Sequence, residues 1–265
     1  LLAEAVTQFQ AQAFSELLPS GGPVRTQVLG KPTPEVEEQS ERVREYMNYQ
    51  ITCVMKEYTP EFDQMLFYLP LSGSTFKKVY YDEFLDRAVS RFIPAEQLIV
   101  PYTATDLDTA ENVTHVLQIT ENDLRKKQLA GFYSDIKVTA SQSDPGSVKD
   151  EMDEISGIEP TYLDTDVTLL ECHVNLDIEG FEDVDEDNEP TGIKLPYIVT
   201  VSEESGKLLS VRRNYDEDDP THKKKQYFVH FKFLPGFGFY GLGLIHMIGG
   251  LSRTATAALR QLIDA

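Results

Sequence analysis

The sequence predicts an α+β fold: helices at the N-terminus, a mostly antiparallel β region, and a long glycine-rich helix at the C-terminus. Apolar residues recur at helical spacing near both ends of the chain and alternate at strand spacing in the last third before the final helix. The clearest turn between two predicted strands is the hairpin signal at 204–206, and we expect mostly antiparallel connections. We therefore expect one α+β region over 1–265, with a helical part at 1–70, a β-rich part at 71–235 and a helix at 236–265.

The helical part predicts two helices before residue 58. The first covers 1–18 and ends at the proline- and glycine-rich stretch 19–23. The second covers 34–57, because Thr33 is a suitable N-cap, Pro34 suits the first helical position, and glutamates fill the first turns. Its apolar residues form one stripe that we expect to be buried in the core: Val36, Val43, Met47, Ile51, Val54 and Tyr58.

A third, shorter helix is predicted over 61–68, and Gly73 marks the turn after it. The strands that follow are predicted at 76–81, 98–100, 114–119, 167–178, 197–203, 207–213 and 227–234. Between them we expect a loop or short helix at 83–90, a helix at 121–129 capped by Thr120, an extended segment at 132–139, a linker at 141–146 and an acidic helix at 147–156. In the strand over 167–178, the alternation places Cys172 on the apolar face.

The charge of the chain limits its functions. It has 44 acidic and 24 basic residues, a formal charge of −20. Such a surface repels nucleic acid, which argues against a protein that grips DNA by neutralising phosphates, although not against one that lets DNA pass. Cys53 and Cys172 predict buried free thiols in a reducing compartment. We expect no membrane span, and we expect the chain, which starts without Met, to be an interior piece of a longer protein.

The acidic stretch over 181–190 resembles a calcium loop only in part. Asp183, Asp185 and Asp187 are spaced like the first calcium ligands, but the glycine and the glutamate that an EF-hand needs further on are missing. A solvated acidic loop is the preferred interpretation, with incidental divalent-ion binding left open.

The histidines show no metal-binding spacing, and we expect His173 and His230 to face solvent on their strands. Without a catalytic constellation, the sequence predicts no enzyme, no metal and no cofactor.

The stretch from Gly236 to Gly241 fits the G-x-G-x-x-G pattern of dinucleotide-binding turns, and it lies between a predicted strand and a predicted helix. The three variable positions hold two phenylalanines and a tyrosine, whose rings would crowd an approaching pyrophosphate. The acidic residue expected about 20 positions further on is also missing, since Asp264 belongs to a helical pattern. A nucleotide-dependent oxidoreductase that uses this turn remains the alternative hypothesis.

The preferred interpretation is that these glycines allow close packing of protein on protein. The helix that follows has no polar face over its first two turns, so we expect it to start buried and to end half exposed. His246 is expected to lie in a core or an interface. The candidate residues for subunit packing are Gly236, Phe237, Gly238, Phe239, Tyr240, Gly241, Leu242, Gly243, Ile245, His246, Arg253 and Arg260.

Residues 231–246 (FKFLPGFGFYGLGLIH) resemble the signature region of portal proteins of tailed bacteriophages, of the short-tailed-phage type. Three upstream blocks agree with the same family: HVLQITENDL at 115–124, LDIEGFE at 176–182 and KLPYIVTV at 194–201. The blocks keep the order of the family and span about 115–260, whereas the N-terminal helices are compatible but less specific.

The resemblance implies a structural subunit and not an enzyme. Portals are homo-oligomeric rings, usually dodecamers, that form the head-tail connector at one vertex of the virion capsid and assemble in the host cytoplasm. Their partners are the terminase large subunit, the tail adaptor, and capsid and scaffold proteins. Double-stranded DNA passes through during packaging and ejection without specific binding. The chain would supply mainly the wing of such a subunit, with its last helix leading toward the stem. Another phage head or tail structural protein is the second alternative.

Overall fold

A computed structural model describes residues 2–138, 157, 166–184 and 189–264. The described chain is α+β, with helices at the N-terminus, antiparallel sheets and a C-terminal helix, which confirms the predicted class. It divides into two compact units, and each is considered by itself. Unit 1 comprises Leu1–Glu96, Thr105–Asp108 and Tyr227–Ala265, and unit 2 comprises Gln97–Ala104 and Thr109–Gln226. Among the described residues, no helix is long and apolar enough to cross a membrane.

Unit 1 combines helices with a three-stranded antiparallel sheet in the order β2-β1-β8. Its elements are α1 (Leu2–Leu17), α2 (Pro34–Tyr49), a π-helical turn (Gln50–Val54), α3 (Tyr58–Ser72), β1 (Ser74–Asp82), β2 (Arg87–Pro94), β8 (Phe228–Lys232) and α5 (Leu244–Asp264), with a 3-10 turn at Ala95–Gln97 between the units. Phe62, Met65 and Leu66 on α3 form the centre of the core, against Phe92 of β2 and Phe231 of β8.

Ion pairs fasten α3 to the neighbouring strand β2. Arg87 Nη1 lies 2.7 Å from Glu57 Oε1, and Arg91 Nη1 lies 2.6 Å from Glu61 Oε1. The other carboxylate oxygen of Glu61 accepts the backbone N–H of Phe92 at 2.6 Å. Since Glu57 and Glu61 are one helical turn apart, these contacts fix the rotation of α3 on the sheet.

The second helix forms as predicted, but its apolar stripe is not buried. Thr33 caps α2 by accepting the N–H of Val36, and Pro34 occupies the first helical position. Within the described chain no residue of α2 is buried, and Val36, Val43 and Met47 are 40–45% exposed. The predicted burial was wrong, because periodicity places apolar side chains on one side of a helix without specifying what covers that side.

Unit 2 contains a five-stranded antiparallel sheet in the order β3-β4-β5-β6-β7. Its elements are β3 (Leu98–Ile99), β4 (Val113–Thr120), α4 (Glu121–Leu129), β5 (Asp166–Leu176), β6 (Leu195–Ser202) and β7 (Leu208–Arg213). The hydroxyl of Thr120 accepts the N–H of Asp123 and so caps α4 as predicted. The predicted β6–β7 hairpin is confirmed, and Gly206 in its turn has φ 62°, in the left-handed region.

The buried face of β5 is the one that the alternation did not predict. Val167 and Leu169 are buried against Leu124 of α4 and Leu209 of β7, and Cys172 lies half-buried on the other side of the strand. The other cysteine, Cys53, is exposed, so the prediction of buried thiols was wrong for both. The alternation predicted the wrong face of β5 because α4 covers the side of the sheet that also carries polar residues.

Several boundaries also differ from the predictions. Strand β2 begins at Arg87, within the stretch predicted as a loop or short helix, because residues 83–86 close a hairpin with β1. Helix α3 is longer than predicted, and the C-terminal helix begins at Leu244 and not at residue 236. Residues 132–138 form no strand. The predicted linker and acidic helix over 141–156 lie outside the described residues.

Candidate functional site: the glycine-rich segment

The glycine-rich segment, residues 236–243, connects β8 to α5 and lies against the end of α3. Just before the segment, the backbone N–H of Phe233 donates to the carbonyl of Gly73 at 3.0 Å. Within it, the N–H of Leu242 donates to the carbonyl of Leu234 at 2.9 Å, which closes the loop on itself. The segment is therefore held by backbone contacts on two sides.

Three glycines make this backbone-to-backbone approach feasible. A Cβ atom on Gly241 would come closer than 3.0 Å to the carbonyl oxygens of Gly73 and Leu234. A Cβ on Gly243 would come equally close to the Leu71 carbonyl oxygen, and one on Gly73 would meet the backbone of 241–243. Gly73 also has φ 88°, a conformation that side chains disfavour. The glycines thus serve close packing, here between two parts of the same chain.

The backbone donors at the start of α5 are used within the protein. The N–H of Gly241 donates to Ser74 Oγ at 2.8 Å, and the N–H of Gly243 donates to His246 Nδ1 at 3.0 Å. His246 therefore caps the helix, as the third residue of its first turn, in the way that glutamate does in a capping box. It is exposed and does not lie in the core of this chain. A dinucleotide turn instead directs such N–H groups at phosphate oxygens.

An aromatic stack anchors the segment to the sheet. The rings of Phe76, His230 and Phe239 pack against one another, with the His230 centroid 4.4 Å from that of Phe76 and 4.7 Å from that of Phe239, and 5.9 Å between the two phenylalanines. Phe76 and Phe239 are both buried. His230 Nε2 lies 3.1 Å from Ser74 Oγ, the same hydroxyl that accepts the Gly241 N–H. The packed aromatic rings and the Ser74 hydroxyl together join β1, β8 and the glycine-rich segment.

His230 is neutral at pH 7 in this environment. Burial against the two rings, and to a smaller extent the positive charge of Lys232, lower the pKa of His230 from 6.5 to about 4. The expectation that this histidine faces solvent was wrong, because Phe76 of β1, which is far away in sequence, and Phe239 of the loop both pack against it.

Some of the remaining candidate residues of the segment contact other parts of the chain, and others are exposed. Gly236 faces the carbonyl oxygen of Tyr240, so a Cβ there would clash. Gly238 has no described atom near its Cβ position, and the side chain of Phe237 at the tip is fully exposed. Tyr240 is partly exposed, and burial raises the pKa of its phenol. The tip therefore projects an aromatic ring that the described chain does not cover.

The candidates on α5 lie along an open groove. Ile245, Arg253 and Arg260 line a surface depression of about 880 Å³ together with Leu2 of α1. Ile245 is 50% exposed and Leu251 is 71% exposed, so the expectation that this helix starts buried was wrong. The cause is that small and polar residues of α5, not its leucines, face α1.

Sequence reasoning missed the residues that receive the segment: Gly73, Ser74, Phe76 and His230. Nothing in the linear spacing connects residues 73–76 with 230–243, because the β1–β8 pairing brings them together. Gly73 was recognised as a turn, and that was the only available signal.

A buried lysine lies beneath α3 in the same unit. Lys77 Nζ is 4.1 Å from the ring centroid of Tyr58 and 5.2 Å from that of Phe62. It has no hydrogen-bond partner among the described residues. Burial lowers the pKa of Lys77 from 10.5 to about 8, although the carboxylates of Glu61 and Glu57 act in the opposite direction. Its amine contacts the faces of these two aromatic rings.

Unit 2 contains a buried pair of ionisable residues on β5. His173 Nε2 lies 2.9 Å from Glu171 Oε1, and both side chains are buried, so the expectation of a solvent-facing His173 was wrong. Among the described residues, no group of three histidine, cysteine or carboxylate side chains could hold a metal ion. Of the predicted calcium-like positions, Asp183 bonds to Thr191 Oγ1 at 2.6 Å, and 185 and 187 lie outside the described residues.

No protein-family model matches the chain, and no curated protein matches its sequence.

Proposed function

We propose that this chain is a structural subunit of a ring-shaped bacteriophage portal, at the capsid vertex where DNA enters and leaves. The proposal starts from the four sequence blocks between 115 and 260, which resemble portal proteins and keep their order. In this role the subunit forms a channel for DNA and an attachment point for the terminase large subunit and the tail adaptor.

The observation that carries the proposal furthest is the exposed apolar surface of α5. Six large apolar side chains on this helix are 50–82% exposed: Ile245, Met247, Leu251, Leu259, Leu262 and Ile263. Large apolar side chains that are this exposed favour a subunit whose helix packs against other protein in an assembly.

The geometry of the glycine-rich segment supports a packing role for it. Its glycines accommodate backbone at Gly73 and Leu71, and the N–H groups of Gly241 and Gly243 are used inside the chain. A formal charge of −20 supports a channel through which DNA slides, since like charges provide no counterion-release affinity.

The ring is tested by imaging and by mass. We expect negative-stain electron microscopy of the purified chain to show rings with a central hole, and light scattering to give a multiple of 30.0 kDa. Particles without a hole at every concentration would contradict the proposal.

A thermal-shift series tests the nucleotide hypothesis on the same sample. A ligand at 100 times its dissociation constant stabilises a protein by about 2.7 kcal/mol. We expect no shift with NAD, NADP or ATP, and a saturable shift with any of them would favour the oxidoreductase.

A further inference from the structure

Two helices of unit 1 present apolar surface that the described chain does not cover. The first is the α2 stripe, formed by Val36, Val43 and Met47. These side chains are seven and four positions apart, so they lie on one side of the helix. Each is 40–45% exposed. Apart from Pro34, Tyr46 and Tyr49, the other residues of the helix carry charged, amide or hydroxyl side chains.

The second surface is the α5 face, formed by Met247, Leu251, Leu259 and Leu262, which are 55–75% exposed. It points away from α1. The residues that line the groove with Leu2 include Gly249, Arg253, Thr256 and Arg260, which recur at helical spacing on the other side of α5. Unit 1 therefore contacts the side of α5 that carries mostly small and polar residues, and it leaves the apolar side open.

The α5 face carries no acidic side chain that would repel the acidic helix α2, and the two arginines of α5 lie on its other side. Helix α2 contains five glutamates and two arginines, a formal charge of −3. Helix α5 contains two arginines and, as its last residue, one aspartate, so residues 244–263 are free of acidic side chains. Two copies of a chain with a formal charge of −20 repel each other over most of their surface. An acidic helix of another copy therefore meets no like charge along residues 244–263 of α5.

We propose that the α2 stripe of one copy packs against the α5 face of the next copy. This inference rests on the proposed ring subunit, and it names the two surfaces that join neighbours. The contact is heterologous, since two different surfaces of the chain meet, and heterologous contacts generate rings when the rotation closes.

The size of the two helices indicates how strong one contact is. At about 1.5 Å per residue, α5 is about 30 Å long and α2 about 24 Å, and each is about 10 Å wide. One helix pair therefore covers less than the roughly 800 Å² per partner of a standard stable interface. Assembly is accordingly concentration-dependent, and it is measured over a concentration series.

The test uses sedimentation velocity on the wild-type chain and on three variants. Val43→Asp alters the α2 stripe, Leu251→Asp alters the α5 face, and Leu29→Asp is the matched control, since Leu29 is 90% exposed and lies on neither surface. We expect wild type and Leu29→Asp to assemble alike, and each of the other two to need at least a tenfold higher concentration. Circular dichroism confirms that the variants keep their helices.

Mixing gives the signature of a heterologous contact. The Val43→Asp chain keeps a working α5 face, and the Leu251→Asp chain keeps a working α2 stripe. At a concentration where neither variant associates alone, we expect an equimolar mixture to form a heterodimer that does not grow further. If only Leu251→Asp weakened assembly, two α5 faces would be meeting each other and the inference would be wrong.

Disulfide trapping provides a readout that does not depend on disrupting the contact. In a Cys53→Ser background, Met47→Cys and Leu251→Cys placed on separate chains should crosslink to twice the mass under mild oxidation. Chains that each carry only Met47→Cys should not.

The outcomes separate this inference from the proposed function. Rings that persist in both aspartate variants would overturn the inference and leave the portal proposal standing. Crosslinked α2–α5 pairs without closed rings would support the inference and contradict the portal. A wild-type chain that stays monomeric over the whole series would overturn both.

Discussion

His230 shows how a single side chain makes the stability of unit 1 depend on pH. Its pKa is lowered to about 4 in the folded chain, whereas an unfolded histidine titrates near 6.5. Between these values the unfolded chain binds more protons, so stability is lost as the pH falls from 6.5 to 4. A full shift of this size would be worth about 3 kcal/mol. The ring is only half-buried, and we therefore expect about 1–2 kcal/mol.

The comparison variant for this prediction is His230→Phe, which keeps an aromatic ring against Phe76 and Phe239. Urea unfolding at pH 7 and at pH 4.5 measures the loss in each protein. Carboxylates contribute equally to the loss of stability in both proteins. The difference between the two losses therefore gives the contribution of His230. Equal losses in wild type and variant would show that His230 does not titrate in this window.

Lys77 loses its proton at a lower pH than an exposed lysine does, because burial lowers its pKa. Its pKa is about 8 when folded and 10.5 when unfolded, so the unfolded chain binds more protons between these values and stability rises with pH in that window. At pH 7 the full penalty of the buried ammonium is present. We expect Lys77→Met to stabilise unit 1 by about 1–2 kcal/mol at pH 7, measured by urea unfolding, and to remove the rise above pH 8. A destabilised variant would mean that contact with the Tyr58 ring outweighs burial.

At the scale of elements, the glycine-rich segment and α5 contain two glycines whose surroundings differ. Gly243 lies against the carbonyl of Leu71, whereas Gly250, inside α5, has no described atom within 4 Å of its Cβ position. We expect Gly243→Ala to destabilise the chain by about 2 kcal/mol or more through overpacking. Gly250→Ala should stabilise it by about 0.5–1 kcal/mol, since alanine favours the helix. Thermal unfolding of both variants measures the contrast, and a loss of similar size in each would contradict it.

The same contrast revises what a bulky residue at Gly243 would do. From the sequence alone, Gly243→Leu is expected to reduce ring assembly by overpacking, whether this glycine packs in the subunit core or against a neighbouring subunit. The structure places the nearest backbone in the same chain, at Leu71 and Gly73. The expected first effect is therefore on folding, and assembly is better tested at Val43 and Leu251, whose side chains are exposed.

At the scale of the whole molecule, charge determines how the chain meets DNA. With 44 acidic and 24 basic residues, it has no surplus of cations to release counterions from a duplex. We expect fluorescence anisotropy to detect no binding of double-stranded DNA at physiological salt, for the chain alone and in any ring. Tight binding that weakens steeply as salt is added would show a basic surface inconsistent with a sliding channel.

The local features of this protein were determined by the sequence by itself. Thr33 and Thr120 cap the predicted helices, Gly206 closes the predicted hairpin, and the α+β class follows from the spacing of apolar residues. These features depend on residues that are close neighbours in the sequence, so they can be recognised from the sequence alone.

Only the tertiary structure decided which faces are covered and which distant residues meet. It left the α2 stripe open, buried the side of β5 that carries His173, and joined Ser74 and His230 to the glycine-rich segment. The physical reason is that periodicity fixes which side chains share a face, whereas burial depends on what packs against that face. Strand pairing between β1 and β8, more than 140 positions apart in the chain, supplies that partner.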